Sequence, residues 1–156
     1  MRIVGPAFGQ GAVCERILRA LPQWFSIESA ITSYVSSAET LPCFVAYLAD
    51  DAVGLIVAKR HYPKSAEIYL MGVMPDHHRR GIGRALLAAL QQWLVSEGVE
   101  FLQVKTLSPS RADGDYEKTR AFYLGVGFAP LEELLTLWNP DNPCLLLIKR
   151  LDGMKP

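Results

Sequence analysis

The sequence is poor in cysteine, and its three cysteines, Cys14, Cys43 and Cys144, lie far apart. No two of them form a CxxC pair. An odd number of widely spaced cysteines argues against a disulfide framework and offers no zinc-ligand spacing. We therefore expect no metal, and a reduced, cytoplasmic setting.

A net charge is also absent, since 16 basic residues balance 16 acidic ones. Proteins dedicated to nucleic acids usually carry a basic surplus, so we expect no nucleic-acid partner. No stretch approaches the roughly 20 apolar residues of a membrane-spanning helix, and residues 1–10 lack the apolar segment of a signal peptide. The composition is 50% hydrophobic, which predicts one globular domain over residues 1–156, without a membrane partner.

The spacing of apolar residues predicts four helices and six strands. The helices are predicted over residues 13–21, 27–35, 81–96 and 115–124. The strands are predicted over residues 44–48, 52–59, 67–74, 100–107, 128–137 and 144–151. The clearest helix begins near Gly81, because Leu86, Leu90 and Leu94 fall on one face of a 3.6-residue period. This order predicts a mixed α/β sheet with helices packed on it.

A glycine-containing turn stands between a predicted strand and this helix. Residues 73–84 read VMPDHHRRGIGR, so the strand ends at Pro75 and the helix follows at Gly81. Backbone N–H groups at a helix N-terminus lack partners and lie at the positive end of the helix dipole. Glycine lets that backbone approach a ligand closely. The turn therefore predicts a site for a pyrophosphate.

Other interpretations of this turn fit less well. The sequence has no GxxxxGK[ST] pattern, which excludes a P-loop NTPase, and Leu86 stands where the dinucleotide fingerprint requires a third glycine. A nucleic-acid contact through residues 77–80 and Arg84 is disfavoured, because no aromatic residue lies among those arginines.

Two segments of the sequence resemble the GNAT superfamily of N-acetyltransferases. Gly81 and Gly83 match the glycines of its acyl-CoA-binding motif, [RQ]xxGx[GA], while His78 stands at the Arg/Gln position. Residues 119–128, TRAFYLGVGF, are similar to its later helix ending in FYxxxGF, although Tyr116 stands where asparagine is common. The resemblance implies an α/β fold with a central mixed, mostly antiparallel sheet, flanked by helices and splayed at the acyl-CoA site.

The resemblance also implies an acyltransferase that moves an acetyl group from acetyl-CoA, its cosubstrate, to a primary amine by direct attack in a ternary complex. The backbone of Val73 would hydrogen-bond the pantetheine arm and polarise the thioester carbonyl. The remaining cofactor contacts implied are His78, Arg79, Arg80, Gly81, Ile82, Gly83 and Arg84. The acceptor, a small-molecule or peptide amine, is not identified by the sequence. A homodimer is compatible with the resemblance, because dimers are common among similar proteins.

Acetyl transfer needs a group that takes a proton from the amine and a donor for the departing thiolate. The resemblance assigns the donor role to Tyr123 and the base role to Glu67. The alternatives are a core tyrosine and a solvated strand glutamate. A non-catalytic acyl-CoA-binding module with the same fold is the competing function.

Aromatic residues on the early helices are the candidates for the acceptor site. The resemblance places Trp24, Phe25 and Tyr34 on its wall, where core packing is the alternative role. His61 and Tyr62 end a predicted strand, so they would either line the acceptor pocket or belong to a loop.

Overall fold

The computed structural model of the protein describes residues 1–151. Within them the chain forms seven strands: β1 (Arg2–Ala7), β2 (Cys43–Leu48), β3 (Asp51–Tyr62), β4 (Ser65–Val73), β5 (Phe101–Leu107), β6 (Ala129–Asn139) and β7 (Asn142–Arg150). The same residues form four α-helices: α1 (Gly11–Arg19), α2 (Glu28–Thr40), α3 (Ile82–Ser96) and α4 (Gly114–Gly125). A 3₁₀ turn, Pro75–His77, connects β4 to the start of α3.

The strands form one sheet in the order β1-β2-β3-β4-β5-β7-β6. The β4–β5 pair is parallel and the other pairs are antiparallel, so the predicted mixed, mostly antiparallel sheet is confirmed. The sequence analysis missed β1, which pairs with β2 at one edge of the sheet. Gly5 and Pro6 interrupt its short apolar pattern, and both residue types are depleted in strands.

Helices cover both faces of the sheet. On one face, α1 and α2 pack against residues such as Leu55 and Val57 of β3. On the other, α3 and α4 pack against Ile56 and Ala58 of the same strand. Successive strand residues point to opposite faces, so β3 contributes to both cores and is buried over residues 52–58.

Helix α3 matches its sequence pattern closely. Its buried face includes Leu86, Leu90 and Leu94, as the 3.6-residue period predicts. It begins after Gly81, whose φ is +79°, and Gly98, with φ +86°, follows its C-terminus. Both values lie in the left-handed region that glycine adopts most readily.

Strands β4 and β5 are paired over only part of their length. Residues 65–68 of β4 pair with residues 101–104 of β5, and beyond Ile68 the two strands no longer pair with each other. The two parallel strands therefore separate towards their C-terminal ends. This is the splay that the resemblance implies, and its prediction is confirmed.

A β-bulge in β4 coincides with the point of separation. Val57 of β3 pairs with Leu70 and the next residue, Ala58, pairs with Ile68, so Tyr69 is the extra residue on β4. A bulge bends its strand and changes the direction of the side chains that follow. Here it lies where β4 parts from β5.

Candidate functional site

A large cavity occupies the gap between the separated ends of β4 and β5. Its volume is about 1090 Å³, which is enough for a cofactor-sized ligand. Residues 68–73 of β4 and residues 104–107 of β5 line two of its sides. The segment between α1 and α2, the glycine turn, α4 and the turn between β6 and β7 supply the others.

The glycine turn forms one end of this cavity. Arg79, with φ +61°, and Gly81 both adopt left-handed conformations that turn the chain from the 3₁₀ turn into α3. No side chain of residues 1–151 caps α3, so its first N–H groups are available to a ligand, at the positive end of the helix dipole. Arg79 and Arg84 line the cavity beside them, whereas Arg80 does not.

The two predicted glycines have different local roles. A Cβ added to Gly81 would meet nothing within 4 Å, so its requirement for glycine comes from its positive φ. A Cβ on Gly83 would lie 3.3 Å from Cε1 of Phe122, so its missing side chain lets α3 and α4 pack closely beside the cavity. Ile82, between them, is buried in the core and also lines the cavity.

The histidines before the turn are part of the cavity wall. His78 Nε2 lies 2.7 Å from the Val73 carbonyl oxygen, and its ring meets the Trp24 ring edge-on at 6.0 Å. His77 also lines the cavity. Its Nδ1 is buried and, within residues 1–151, has no hydrogen-bond partner.

The edge of β4 that faces away from β3 carries backbone groups towards the cavity. Met74 N–H donates to the Val53 carbonyl of β3 at 2.8 Å. Because successive residues of a strand direct their backbone groups to opposite sides, the N–H and C=O of Val73 point to the open side. The Val73 carbonyl meets His78 there, and no strand pairs with its N–H on that side.

Tyr123 on α4 lines the cavity while being almost completely buried. The rings of Phe122 and Phe128 pack against its ring edge-on, with centroids 5.3 and 5.5 Å away. Burial raises the pKa of its phenol. No group of residues 1–151 forms a hydrogen bond with this hydroxyl, and it is not an enclosed polar atom. Its hydroxyl is therefore free to serve a molecule in the cavity.

Glu67 forms a polar cluster with two cations or potential cations. Its Oε1 lies 2.8 Å from Nε2 of His61, and its Oε2 accepts a hydrogen bond from Lys105 Nζ at 2.9 Å. Lys105 lines the cavity but Glu67 and His61 do not. The predicted base, Glu67, thus lies outside the cavity lining. It is hydrogen-bonded to Lys105, a lining residue that the sequence analysis did not identify.

The segment between α1 and α2 lines the cavity. Two hydrogen bonds join it to α4. Trp24 Nε1 donates to Thr119 Oγ1 at 3.0 Å, and the Tyr116 hydroxyl donates to the Trp24 carbonyl at 3.0 Å. The tyrosine at the position where the superfamily commonly has asparagine therefore anchors this segment. Phe25 continues the wall, with its ring 6.0 Å from that of Tyr34.

Tyr34 and Tyr69 extend this aromatic wall towards Glu67. Their rings meet edge-on at 5.5 Å. Burial raises the pKa of the Tyr34 phenol, and the nearby Tyr69, Glu67 and Cys14 add to the rise. Because Tyr34 belongs to α2, this wall lies on the α2 side of the sheet, opposite α3.

Most of the predicted site residues surround this one cavity. Those that line it are Trp24, Phe25, Tyr34, Val73, His78, Arg79, Gly81, Ile82, Gly83, Arg84 and Tyr123. Those outside its lining are Glu67, Tyr62 and Arg80. Tyr62 is 74% exposed, because β3 runs on beyond the predicted strand end and pairs Tyr62 with Ser65 at the hairpin turn.

The sequence analysis also missed three cations of the lining, Lys105, Arg111 and Lys118. Lys105 had a usable signal, since a charged residue in an otherwise apolar strand needs a partner or a role. Arg111 lies in the loop between β5 and α4. A loop has no periodic pattern from which the position of a side chain could be predicted.

None of the helices within residues 1–151 is long and apolar enough to cross a membrane. In the same part of the chain, no group of three His, Cys, Asp or Glu side chains is arranged to hold a metal ion.

Comparison with known proteins identifies the family of this chain. The model of the Acetyltransferase (GNAT) family matches residues 12–128. No curated protein matches the sequence.

Solved structures share the fold at low sequence identity. A protein assigned to the GNAT family of acetyltransferases, from Desulfovibrio desulfuricans, superimposes with a TM-score of 0.84 at 17% identity, covering 96% of this chain and 98% of that one. An aminoglycoside 6'-N-acetyltransferase complexed with coenzyme A gives 0.78 at 18% identity, covering 100% of both chains. The ribosomal-protein-S18-alanine N-acetyltransferase from Escherichia coli gives 0.75 at 18% identity, covering 96% of this chain and 93% of that one.

Proposed function

The chain belongs to the GNAT acetyltransferase family, and on that premise we propose that it moves an acetyl group from acetyl-CoA to a primary amine. The observation that carries this proposal is the cavity between the separated ends of β4 and β5, which has an uncapped helix N-terminus at one end. The separated strands offer backbone groups to an extended arm, and the helix N-terminus suits its phosphates.

The glycine turn is the proposed pyrophosphate site. The N–H groups at the start of α3 would donate to phosphate oxygens, and Arg79 and Arg84 would add charge-assisted hydrogen bonds from the cavity wall. Arg80 lies outside the lining, so its proposed contact is with the outer, solvent-facing part of the cofactor. His77 Nδ1, a buried atom without a partner in residues 1–151, is a further polar group available there.

The open edge of β4 is the proposed site of the pantetheine arm and the thioester. The Val73 N–H points to this edge, where no strand of residues 1–151 accepts a hydrogen bond from it. The pantetheine arm would be its acceptor instead. An N–H donor directed at the thioester carbonyl also stabilises the negative charge that develops on its oxygen during attack.

The reaction requires that one proton leaves the amine and that one reaches the sulfur. The neutral amine nitrogen attacks the thioester carbon, the C–S bond breaks, and the products are the N-acetyl amine and the CoA thiol. Glu67 is the proposed acceptor of the amine proton. Because Glu67 does not line the cavity, the proton would travel through water beside Lys105, and His61, which is partly exposed, offers a path to solvent.

Tyr123 is the proposed donor for the thiolate. Tyr123 lines the cavity, and no group of residues 1–151 forms a hydrogen bond with its hydroxyl. Burial raises its pKa, further above the ordinary thiol value of about 8.5. A phenol of that kind stabilises the departing thiolate by donating a hydrogen bond, and the sulfur takes its final proton once solvent reaches it.

An acceptor screen tests the proposal. The protein would be incubated with acetyl-CoA and a panel of primary amines, with free thiol measured continuously and the acetylated product identified by mass. We expect amine-dependent thiol release. Tight CoA binding without release for any amine would instead support the non-catalytic module.

A further inference from the structure

Five cations of residues 1–151 line the cavity, and two of them lie at the proposed phosphate site. Arg79 and Arg84 belong to the glycine turn and the start of α3. Lys105 is joined through Glu67 to the α2 side, because Glu67 is close enough to the Tyr34 phenol to raise its pKa. A phosphate at the N-terminus of α3 would engage Arg79 and Arg84 and would leave Lys105, Arg111 and Lys118 for other partners.

Arg111 is a cation of the lining in the loop between β5 and α4. It donates hydrogen bonds to Asn142 Oδ1 and to the Asp141 carbonyl at the turn between β6 and β7. Burial raises the pKa of the Tyr116 phenol, and Tyr34 and Asp113 add to the rise. Arg111 lowers the same pKa, so it lies near Tyr116.

Arg111 carries a charge that no acid of the described chain neutralises. Within residues 1–151 no carboxylate forms an ion pair with it. Lys105 differs, because Glu67 lies 2.9 Å from its Nζ and offsets its charge. Outside the glycine turn, Arg111 and Lys118 are thus the lining cations that form no ion pair with a carboxylate of residues 1–151. Of these two, Arg111 carries the guanidinium, which can hold a carboxylate through two parallel hydrogen bonds.

The cavity offers little to a substrate with several positive charges. Asp113 is the acidic residue of its lining, and its Oδ1 already accepts the N–H groups of Asp115 and Tyr116 as the cap of α4. Glu67 is occupied by Lys105 and His61. A polycationic acceptor would therefore be repelled by the lining cations, while the nearby carboxylates, Asp113 and Glu67, already have hydrogen-bond partners.

We propose that the acceptor is a small amine that also carries a carboxylate, such as an amino acid, and that Arg111 binds this carboxylate. This inference rests on the proposed function and names its substrate class. A guanidinium holds a carboxylate through two parallel hydrogen bonds. The aromatic wall of Phe25, Tyr34 and Tyr69 suits an apolar or aromatic side chain on the same molecule.

Paired ligands that differ in the carboxylate alone test the proposal. Phenylalanine would be compared with phenethylamine and with phenylalanine amide, and spermidine would represent a polycation. Binding to the CoA-loaded protein would be measured by calorimetry and turnover by thiol release, so that each ligand gives a result whether or not it is acetylated. We expect phenylalanine to bind at least about tenfold more tightly than either neutral-ended analogue.

Arg111→Gln and a matched control variant test whether the ligand carboxylate contributes to affinity through Arg111. Arg111→Gln should weaken phenylalanine binding by about tenfold to a hundredfold and leave phenethylamine and CoA binding unchanged. Arg60→Gln is the control, because Arg60 also donates to two carbonyl oxygens, those of Pro63 and Glu97, but lies outside the cavity lining. It should change none of these values.

The outcomes separate the inference from the proposed function. Stronger binding of phenethylamine or spermidine than of phenylalanine would overturn the inference, as would an equal loss for both ligands in Arg111→Gln. If Arg111-dependent binding of phenylalanine occurs without thiol release from any amine, the inference about the site stands and the proposed acetyl transfer fails.

Discussion

The two halves of strand β4 differ in what lies along one edge. Residues 65–68 have a partner strand on either side, β3 and β5. Residues 69–73 keep β3 but have lost β5, and their open edge lines the cavity. Burial alternates in the same way along the whole strand, so the halves differ in their backbone partners and not in their hydrophobic pattern.

The difference teaches that the main chain itself is the binding surface in the open half. Buried N–H and C=O groups require partners, and in the paired half the neighbouring strands satisfy them. In the open half a ligand can do so. Changes around the open half should therefore alter binding or turnover with little loss of stability, whereas changes in the paired regions should do the reverse.

Tyr123 should give the largest effect, because it is buried like a core residue yet faces the cavity. Tyr123→Phe keeps the ring and removes the hydroxyl. If that hydroxyl donates a hydrogen bond to the departing thiolate, turnover should fall by about 10²–10³-fold, the usual range for one lost donor to a developing negative charge. The thermal midpoint and the CoA affinity should change little, since the hydroxyl has no partner within residues 1–151. Steady-state kinetics and a thermal melt measure both.

Tyr47→Phe is the matched control for this change. Tyr47 is a partly buried tyrosine on β2, packed against the α1–α2 core and outside the cavity lining. Its variant should keep full turnover. A loss of stability with normal specific activity in Tyr123→Phe would assign Tyr123 to the core alone.

The N-terminus of α3 should give the next effect, on affinity. Gly81→Asp places a carboxylate where phosphates would approach and offers α3 the cap that it lacks. Aspartate tolerates the left-handed conformation better than most residues. We expect CoA affinity to fall by at least about tenfold, since each hydrogen bond to a charged group contributes about 1.5–3 kcal/mol, while the protein stays folded. Calorimetric titration with CoA measures the affinity.

Gly98→Asp is the control at the other end of the same helix. Gly98 has a similar positive φ, and a Cβ there also meets nothing within 4 Å. This variant has the same added charge and side chain, so it should bind CoA normally. Equal losses in both variants would mean that the effect is a general one on α3.

The sequence revealed the parts of this site that depend on local pattern. The glycine turn needs a positive φ at Gly81, and the apolar face of α3 repeats with the helical period, so both are visible in a short window. Tyr123 was singled out through the similarity of its motif. It lines the cavity, and its role stays a prediction.

The remaining parts depend on contacts between distant segments. The separation of β4 from β5 follows from a bulge at Tyr69, whose residue type carries no signal for it. Lys105 meets Glu67 across 38 residues of chain, and Tyr116 reaches Trp24 across 92. Pairing of distant residues leaves no periodicity in the sequence, which is why these contacts were missed.

A change of backbone alone tests the open edge of β4 more directly. Val73→Pro removes an N–H that does not take part in the ladder with β3, and proline is tolerated at such strand edges. We expect a folded protein whose CoA affinity falls about twofold to twelvefold, the range for one lost hydrogen bond of about 0.5–1.5 kcal/mol. Val57→Pro, inside the fully paired β3, should abolish folding. Unchanged CoA affinity in a folded Val73→Pro protein would contradict the proposed contact.

The core between α1, α2 and the sheet should respond to pH through its buried thiols. Burial raises the pKa of Cys14 to about 12, with Cys43 and Glu15 adding to the rise, and burial with Glu39 raises that of Cys43 to about 11. In the unfolded chain both thiols ionise near pH 9, so between pH 8 and 10 the folded state holds more protons and its stability falls as pH rises. We expect about 1 kcal/mol of loss per thiol over this window, measured by urea unfolding under reducing conditions. Cys14→Ala, although destabilised at every pH by the cavity it leaves, should remove the Cys14 share of this slope and leave CoA affinity unchanged. An unaltered slope would show that the Cys14 thiol is not a cause.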